Sequence, residues 1–139
     1  MPLLEVKDLA VEISTQVGPL HAVRGISFAL ERGETIAIVG ESGSGKSMTS
    51  LALMGLLPRR AERRASRLVF DGLDLLHMPE SQTRSLRGNR MAMIFQEPMT
   101  SLNPSYTIGN QLIEALRSHP PNDVSATLRR ADCRSCRTD

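Results

Sequence analysis

The sequence predicts an α/β protein, in which a small antiparallel β subdomain lies beside a three-layer core with a parallel sheet. Three observations support this fold class. The first 30 residues hold two runs in which apolar and polar residues alternate. Residues 35 to 39 are apolar without alternation and lead into a glycine-rich loop, after which residues 46 to 57 have helical spacing. This order is typical of a parallel strand that feeds a covering helix.

The N-terminal runs predict two paired strands. In residues 4 to 13 the apolar side chains fall at nearly every second position, with one slip around Asp8, which indicates a strand with a bulge or turn. The run from 22 to 30 follows the turn pair Gly18-Pro19 and again mostly alternates. We expect the two strands to form an antiparallel element.

The central elements are a strand and a helix. Because residues 35 to 39 do not alternate, they predict a parallel strand that is buried on both faces and lies centrally. Residues 46 to 57 place their apolar side chains on one helical face, and Pro58 blocks continuation, so a helix should stop near Leu57.

Shorter elements follow. The arginine-rich residues 59 to 67 predict a solvated connection, and residues 68 to 70 with the turn Asp71-Gly72 predict a short strand. Residues 79 to 86 predict a helix that opens with a proline. Residues 91 to 95 predict another buried strand.

A last helix is predicted from Ile108, with Thr107 as its cap and Pro120-Pro121 as its stop. We expect residues 1 to 118 to belong to one domain. Residues 119 to 139 hold few apolar residues and many arginines, which predicts an irregular tail.

Composition excludes several function classes. The 139 residues fit one ordinary domain, and a net charge of +2 predicts no nucleic-acid or lipid surface for the whole chain. The arginines between 59 and 67 have no interleaved aromatics, so no nucleic-acid partner is expected. No run approaches the ~20 apolar residues that span a bilayer, and no secretory pattern opens the chain, which predicts a cytosolic location. The lone pair Cys133 and Cys136 predicts neither a zinc nor a redox site.

One motif carries chemistry. The run G-E-S-G-S-G-K-S satisfies G-x-x-x-x-G-K-[ST] between a predicted strand and a predicted helix. The candidate binding residues are Gly40, Glu41, Ser42, Gly43, Ser44, Gly45, Lys46 and Ser47.

Each position of this P-loop motif has a physical task. The glycines permit unusual backbone angles, so that successive N–H groups can turn toward phosphate oxygens. The helix N-terminus adds its positive dipole end. Lys46 should reach the β- and γ-phosphates, and the Ser47 hydroxyl should be a ligand of Mg²⁺. The motif therefore predicts ATP and Mg²⁺ as cofactors.

Hydrolysis requires more than this loop, because a carboxylate must hold Mg²⁺ and a further group must polarise the attacking water. A second hydrophobic strand that ends in an acid usually supplies the carboxylate. No such strand follows Phe95. The catalytic half of the ATPase is therefore expected to be missing from this chain.

Two segments carry a resemblance to a known family. Residues 33 to 47 resemble the Walker A region of ABC-transporter ATPase subunits. The string M-I-F-Q-E-P-M-T-S-L-N-P at 93 to 104 resembles the Q-loop segment of the ATPase subunits of bacterial dipeptide and oligopeptide importers and their nickel-import relatives. The resemblance runs from about residue 3 to 118.

This resemblance implies roles and partners. Gln96 matches the Q-loop glutamine, which contacts Mg²⁺ or the attacking water, so it is a candidate catalytic residue and, with Ser47, a candidate metal ligand. The implied function is an ATP-binding component of a peptide importer, peripheral on the cytoplasmic face of the inner membrane. Implied partners are transmembrane permease subunits, a second ATP-binding subunit and, indirectly, an extracytoplasmic solute-binding protein. A DNA-repair or chromosome-organising ABC ATPase is a weaker alternative that suits the arginine run but not the string from Pro98 to Pro104.

The chain also departs from the family pattern. No aromatic residue for stacking on adenine occurs between Val11 and Arg24, where His21 or Val17 could substitute. The family's signature motif, Walker B acid, catalytic glutamate and switch histidine lie beyond the matched region. We therefore expect a P-loop fold truncated before its C-terminal half, by truncation or a frameshift near residues 120 to 127. The alternative function is a nucleotide-binding fragment without turnover, with apolar surface left exposed.

Overall fold

The computed structural model describes residues 1 to 96 and 102 to 118, with side chains up to residue 115. The chain divides into two compact units, Met1–Arg87 and Gly88–Asp139. The elements of the first unit are β1 Leu4–Thr15, β2 Gly18–Leu30, α1 Lys46–Met54, β3 Ala61–Arg64, β4 Arg67–Phe70, β5 Leu73–Asp74 and α2 Glu80–Leu86. The second unit contains α3, Ile108–Ser118. The tail predicted for residues 119 to 139 lies outside the described residues.

The sheet of the first unit is antiparallel and is built around β1. Its strand order is β2-β1-β4-β5, and β3 also pairs with β1. Because β1 is 12 residues long, one of its edges pairs with β4 at residues 4 to 7 and with β3 at residues 10 to 13. The predicted antiparallel subdomain is confirmed, although the hairpin turn lies before Gly18 rather than at Gly18-Pro19.

The slip in the pattern of β1 is a bulge, as predicted. Asp8 has a φ of 53°, and the register shifts between Val6 and Leu9. The Asp8 N–H donates to Ser27 Oγ at 2.8 Å, and Ser66 Oγ donates to the Asp8 carboxylate at 2.7 Å. Val6 and Leu9 are both buried as a result, because the extra residue restores the side-chain alternation.

The core is mainly aliphatic, with Phe70 as its aromatic member, and lies against one face of this sheet. The largest side chains that are fully buried are Leu9, Leu68, Leu75, Val6 and Val11. Helix α1 adds Ala52 and Met54. The core therefore joins the sheet to α1.

The predicted central strand at residues 35 to 39 is wrong as an element. Residues 34 to 40 have no regular secondary structure, and Val39 is 91% exposed while Ile36 and Ile38 are 38% and 44% exposed. A parallel strand needs a hydrogen-bonded neighbour to satisfy its backbone. Among the described strands, none pairs with this segment.

The predicted strand at 91 to 95, in the second unit, is also wrong. Met91 makes an isolated bridge, and its carbonyl accepts from the Gly88 N–H at 2.7 Å, but residues 92 to 95 are irregular and Ile94 is 95% exposed. Helix α3 is confirmed, since Thr107 Oγ1 accepts from the Asn110 N–H at 3.3 Å and caps its first turn. The stop predicted at residues 120 and 121 lies outside the described residues.

The first unit differs from prediction in one helix boundary and in one additional strand. Helix α1 ends at Met54 rather than near Leu57, because Gly55 takes a left-handed conformation with a φ of 65° and caps the helix. The arginine-rich connection contains strand β3, which was not predicted. The short strand at 68 to 70 and the helix from Glu80, with Pro79 at its N-cap, are confirmed. No helix of the described ranges has the length and hydropathy to cross a membrane.

Candidate phosphate-binding site

The glycine-rich loop has the backbone that only glycine adopts readily. Gly43 and Gly45 have φ values of 82° and 91°, in the region closed to most L-residues. A Cβ on Gly40 would lie 2.5 Å from Ser44 Oγ, so the Ser44 side chain would have to move to admit one. The Ser44 N–H donates to the Glu41 carbonyl at 3.2 Å and closes the turn between them.

Gly45 also fixes the loop against the sheet. A Cβ on Gly45 would lie 2.3 Å from the carbonyl oxygen of Ala22 on β2. No side chain fits in this gap. The absence of a Cβ therefore allows the backbone of the loop to approach the backbone of β2 directly.

Helix α1 begins at Lys46, immediately after the loop. The Gly45 carbonyl accepts from the Thr49 N–H at 2.8 Å and from Thr49 Oγ1 at 3.0 Å, and Thr49 is buried. The first N–H groups of a helix have no intrahelical acceptor. They form, with the helix dipole, a site suited to an anion.

Lys46 bends back over the loop. Its Nζ donates to the carbonyls of Gly40 and Glu41, both at 2.6 Å, and lies 3.3 Å from Ser44 Oγ. The loop oxygens thus hold the ammonium group above the glycines. The structure brings a positive charge, the first amides of a helix and a glycine-rich loop into one place, which is the combination that binds a phosphate group.

The remaining loop residues present side chains to solvent. Glu41, Ser42 and Ser47 are exposed, with Ser47 on the first turn of α1. Their roles as phosphate or Mg²⁺ ligands stay predictions. Across residues 1 to 96 and 102 to 118, no cluster of three His, Cys, Asp or Glu side chains could by itself hold a metal.

A cavity of about 460 Å³ adjoins the loop. It is lined by His21, Ala22, Val23, Arg24, Ile26, Ile38, Val39, Gly43, Ser44, Lys46 and Thr49. His21, a candidate for contact with the base, is therefore near the loop, whereas Val17 is 99% exposed and is not part of the lining. Arg24 was not predicted as a residue of this site, because no local pattern connects a residue of β2 with a loop some twenty positions later.

Gln96, the predicted catalytic residue, belongs to the second unit and its side chain is exposed. Glu97 to Ser101, which follow it in the resembling string, lie outside the described residues. The role of Gln96 at the metal stays a prediction.

The loop and α1 define a protein of the P-loop class, in which a glycine-rich turn and a helix N-terminus bind phosphate. Comparison with known proteins gives the family. The family described as ABC transporter matches residues 23–138. The chain therefore belongs to the ABC transporter family, and the predicted fold class is confirmed.

Curated relatives align over most of the chain. It is 47% identical over 135 residues to the oligopeptide transport ATP-binding protein OppD of Bacillus subtilis, covering 93% of this chain and 36% of that protein. It is 47% identical over 131 residues to the dipeptide transport ATP-binding protein DppD of Escherichia coli, covering 94% and 40%. For DppD of Lactococcus lactis the identity is 50% over 117 residues, covering 84% and 34%. The chain thus spans between 34% and 40% of the length of these relatives.

Proposed function

We propose that this chain binds ATP with Mg²⁺ and forms the N-terminal part of the ATP-binding subunit of an ABC importer for peptides. The observation that carries ATP binding is the geometry of residues 40 to 47, where left-handed glycines, the start of α1 and the Lys46 ammonium converge. The names of the relatives, which are transport proteins for oligopeptides and dipeptides, support the transport role.

The residues fit the triphosphate in defined roles. Lys46 exchanges the carbonyls of Gly40 and Glu41 for oxygens of the β- and γ-phosphates. The free N–H groups at the start of α1 donate to the same phosphates. Ser47 supplies its hydroxyl to Mg²⁺, which neutralises the charge of the phosphates when bound. Gln96 acts at Mg²⁺ or at the attacking water, as the family resemblance implies.

The transport role names further partners. The chain acts with transmembrane permease subunits and a second ATP-binding subunit at the cytoplasmic face of the inner membrane, and indirectly with a solute-binding protein. ATP binding and hydrolysis would then be coupled to movement of the solute. These activities belong to relatives of which this chain spans between 34% and 40%.

The second candidate function is nucleotide binding without turnover. The irregular, exposed segment at residues 34 to 40 favours it, because no strand of the described residues anchors the chain that leads into the loop. Such a chain would bind the phosphates but would not hold water and Mg²⁺ in the geometry that hydrolysis needs.

The experiment measures Mg²⁺-dependent ATP binding and phosphate release on the purified chain, beside Lys46→Ala. The chain has one other lysine, Lys7 on β1, so Lys7→Ala is the matched control. We expect Lys46→Ala to abolish binding and Lys7→Ala to retain it. Binding without phosphate release selects the second candidate, and sustained Lys46-dependent release selects the full ATPase role. Equal binding by all three proteins would mean that nucleotide does not bind through Lys46 and its loop, and would contradict both candidates.

A further inference from the structure

Helix α1 is held at its C-terminal end by groups from outside the helix. It has no basic residue in its last turn, although cations stabilise helix C-termini by interacting with the dipole and the free carbonyls. Its own packing is limited, since the buried residues of α1 are Thr49, Ala52 and Met54. The contacts made by its last carbonyls therefore contribute, together with the approach of Gly45 to β2, to the orientation of its axis.

Arg63 on β3 makes the first of these contacts. Its Nη1 donates to the Ala52 carbonyl at 2.7 Å, and its Nη2 donates to the Leu75 carbonyl, after β5, at 2.5 Å. One guanidinium group thus ties the last turn of α1 to the sheet. Burial, and then the nearby charge of Arg87, lowers the pKa of Arg63.

Arg87, which directly follows α2, makes the second contact. Its Nε donates to the Met54 carbonyl at 2.7 Å and its Nη2 to the Gly55 carbonyl at 2.8 Å. Its Nη1 donates to the Glu80 carboxylate at 2.7 Å. The carboxylate fixes the guanidinium plane, so that two parallel donors reach two successive carbonyls of the helix end.

The repulsion between the two guanidinium groups is offset by the helix carbonyls and by the Glu80 carboxylate, so both arginines can act on the same helix end. We propose that Arg63 and Arg87 are positioning residues for the phosphate-binding loop. With a rise of roughly 1.5 Å per residue, α1 is a rod of about 13 Å. Its first residue is Lys46. If the C-terminal end of α1 shifts because an arginine is lost, the helix tilts, and the lysine and the first N–H groups move relative to the phosphates.

This inference rests on the proposed nucleotide binding. The test uses the full chain with a fluorescent N-methylanthraniloyl derivative of ATP in the presence of Mg²⁺, and reads both the Kd and the number of sites. The variants are Arg63→Ala and Arg87→Ala. The matched control is Arg64→Ala, because Arg64 is the next residue on β3 and pairs with Glu62 at 3.0 Å instead of with α1.

We expect Arg63→Ala and Arg87→Ala, the two clamp variants, each to raise the Kd about tenfold with an unchanged number of sites. The reason is that even a small displacement of a binding group weakens binding strongly. Arg64→Ala should match the parent. Arg87→Lys keeps the charge but not the forked pair of donors, so its Kd should lie between those of the parent and Arg87→Ala.

Arg63 and Arg87 line a cavity of about 300 Å³. Methylguanidinium should therefore lower the Kd of Arg87→Ala and leave Lys46→Ala unaffected.

The outcomes separate this inference from the proposed function. A parent chain that does not bind the ATP derivative overturns both. A parent that binds, with clamp variants of equal Kd, overturns the positioning role alone. Fewer sites at unchanged Kd would also overturn it, since that result means that the arginines only stabilise the fold. If the alanine variants do not fold, the Kd of Arg63→Lys and Arg87→Lys decides in the same way.

Discussion

Among single residues, Gly45 must be glycine for two reasons, its backbone angle and its close contact with β2, and the sequence motif does not distinguish them. Its φ of 91° costs an L-residue about 1–2 kcal/mol, and any Cβ would meet the Ala22 carbonyl at 2.3 Å. Gly43 has a similar φ of 82° but open space around its missing Cβ. The two glycines of one motif are therefore required for different reasons.

This difference gives a prediction. Gly43→Ala should lower the free energy of unfolding by about 1–2 kcal/mol from backbone strain alone. Gly45→Ala should lower it further, because β2 and the loop must also move apart. Urea unfolding of both variants measures the difference. Equal losses would mean that the close approach to Ala22 has no energetic weight.

Glu80 gives a second prediction, on the pH dependence of stability. The hydrogen bond from Arg87, and then its charge, hold the pKa of Glu80 below the ordinary 4.5. A carboxylate with a lowered folded-state pKa stabilises the protein fully above its unfolded-state pKa, and this contribution is lost as the pH falls through the folded-state pKa. The free energy of unfolding should therefore fall on acidification below 4.5.

Glu80→Gln removes this titration, so its stability should fall less steeply over the same pH range. Denaturant unfolding at a series of pH values checks it. Some acid dependence should persist, because Arg67 lowers the pKa of Glu5 and His77 lowers that of Asp74. Parallel curves for parent and variant would contradict the role of Glu80.

At the scale of elements, the antiparallel sheet and the segment at 34 to 40 differ in how deeply their apolar side chains are buried. Leu68 on β4 is fully buried, whereas Val39 is 91% exposed. Leu68→Ala should therefore lower the free energy of unfolding by about 2–5 kcal/mol. Val39→Ala should change it by less than about 0.5 kcal/mol. Urea unfolding measures both, and a large loss in Val39→Ala would mean that this segment is packed in solution.

Elements governed by local pattern were predictable from the sequence. The bulge at Asp8 appears as a break in alternation, and the Thr107 cap as a hydroxyl before a helical run. The phosphate loop is also local, since its eight residues are consecutive. In these cases each structural cause lies within a few residues of its effect.

Elements that depend on distant partners were not predictable. The apolar pattern of residues 35 to 39 is the same whether or not a neighbouring strand pairs with it, so the pattern alone could not show that the segment would be irregular. Strand β3 is polar and pairs at a sheet edge, where alternation is weak. Its Arg63 binds the end of α1, and His21 and Arg24 reach the loop cavity from β2. These contacts cross 11 to 25 positions of the chain.

For the whole molecule, exposed apolar side chains predict self-association. Ile36, Ile38 and Val39 lie together in an unpaired segment, which is a template for contact with a second chain. We expect light scattering to rise with protein concentration. Val39→Lys should reduce the rise, and Val17→Lys, at an equally exposed residue of the hairpin turn, should reduce it less. Monomeric scattering with a cooperative melt well above room temperature would contradict this expectation.

The same unpaired segment bears on how long the polypeptide survives in a cell. Chaperones and proteases act on chains that expose apolar side chains, and a loss of about 1–2 kcal/mol of stability can change the abundance of a protein several-fold. A partner strand that covered residues 35 to 39 would remove this recognition signal. Covering this segment should therefore slow the degradation of the chain.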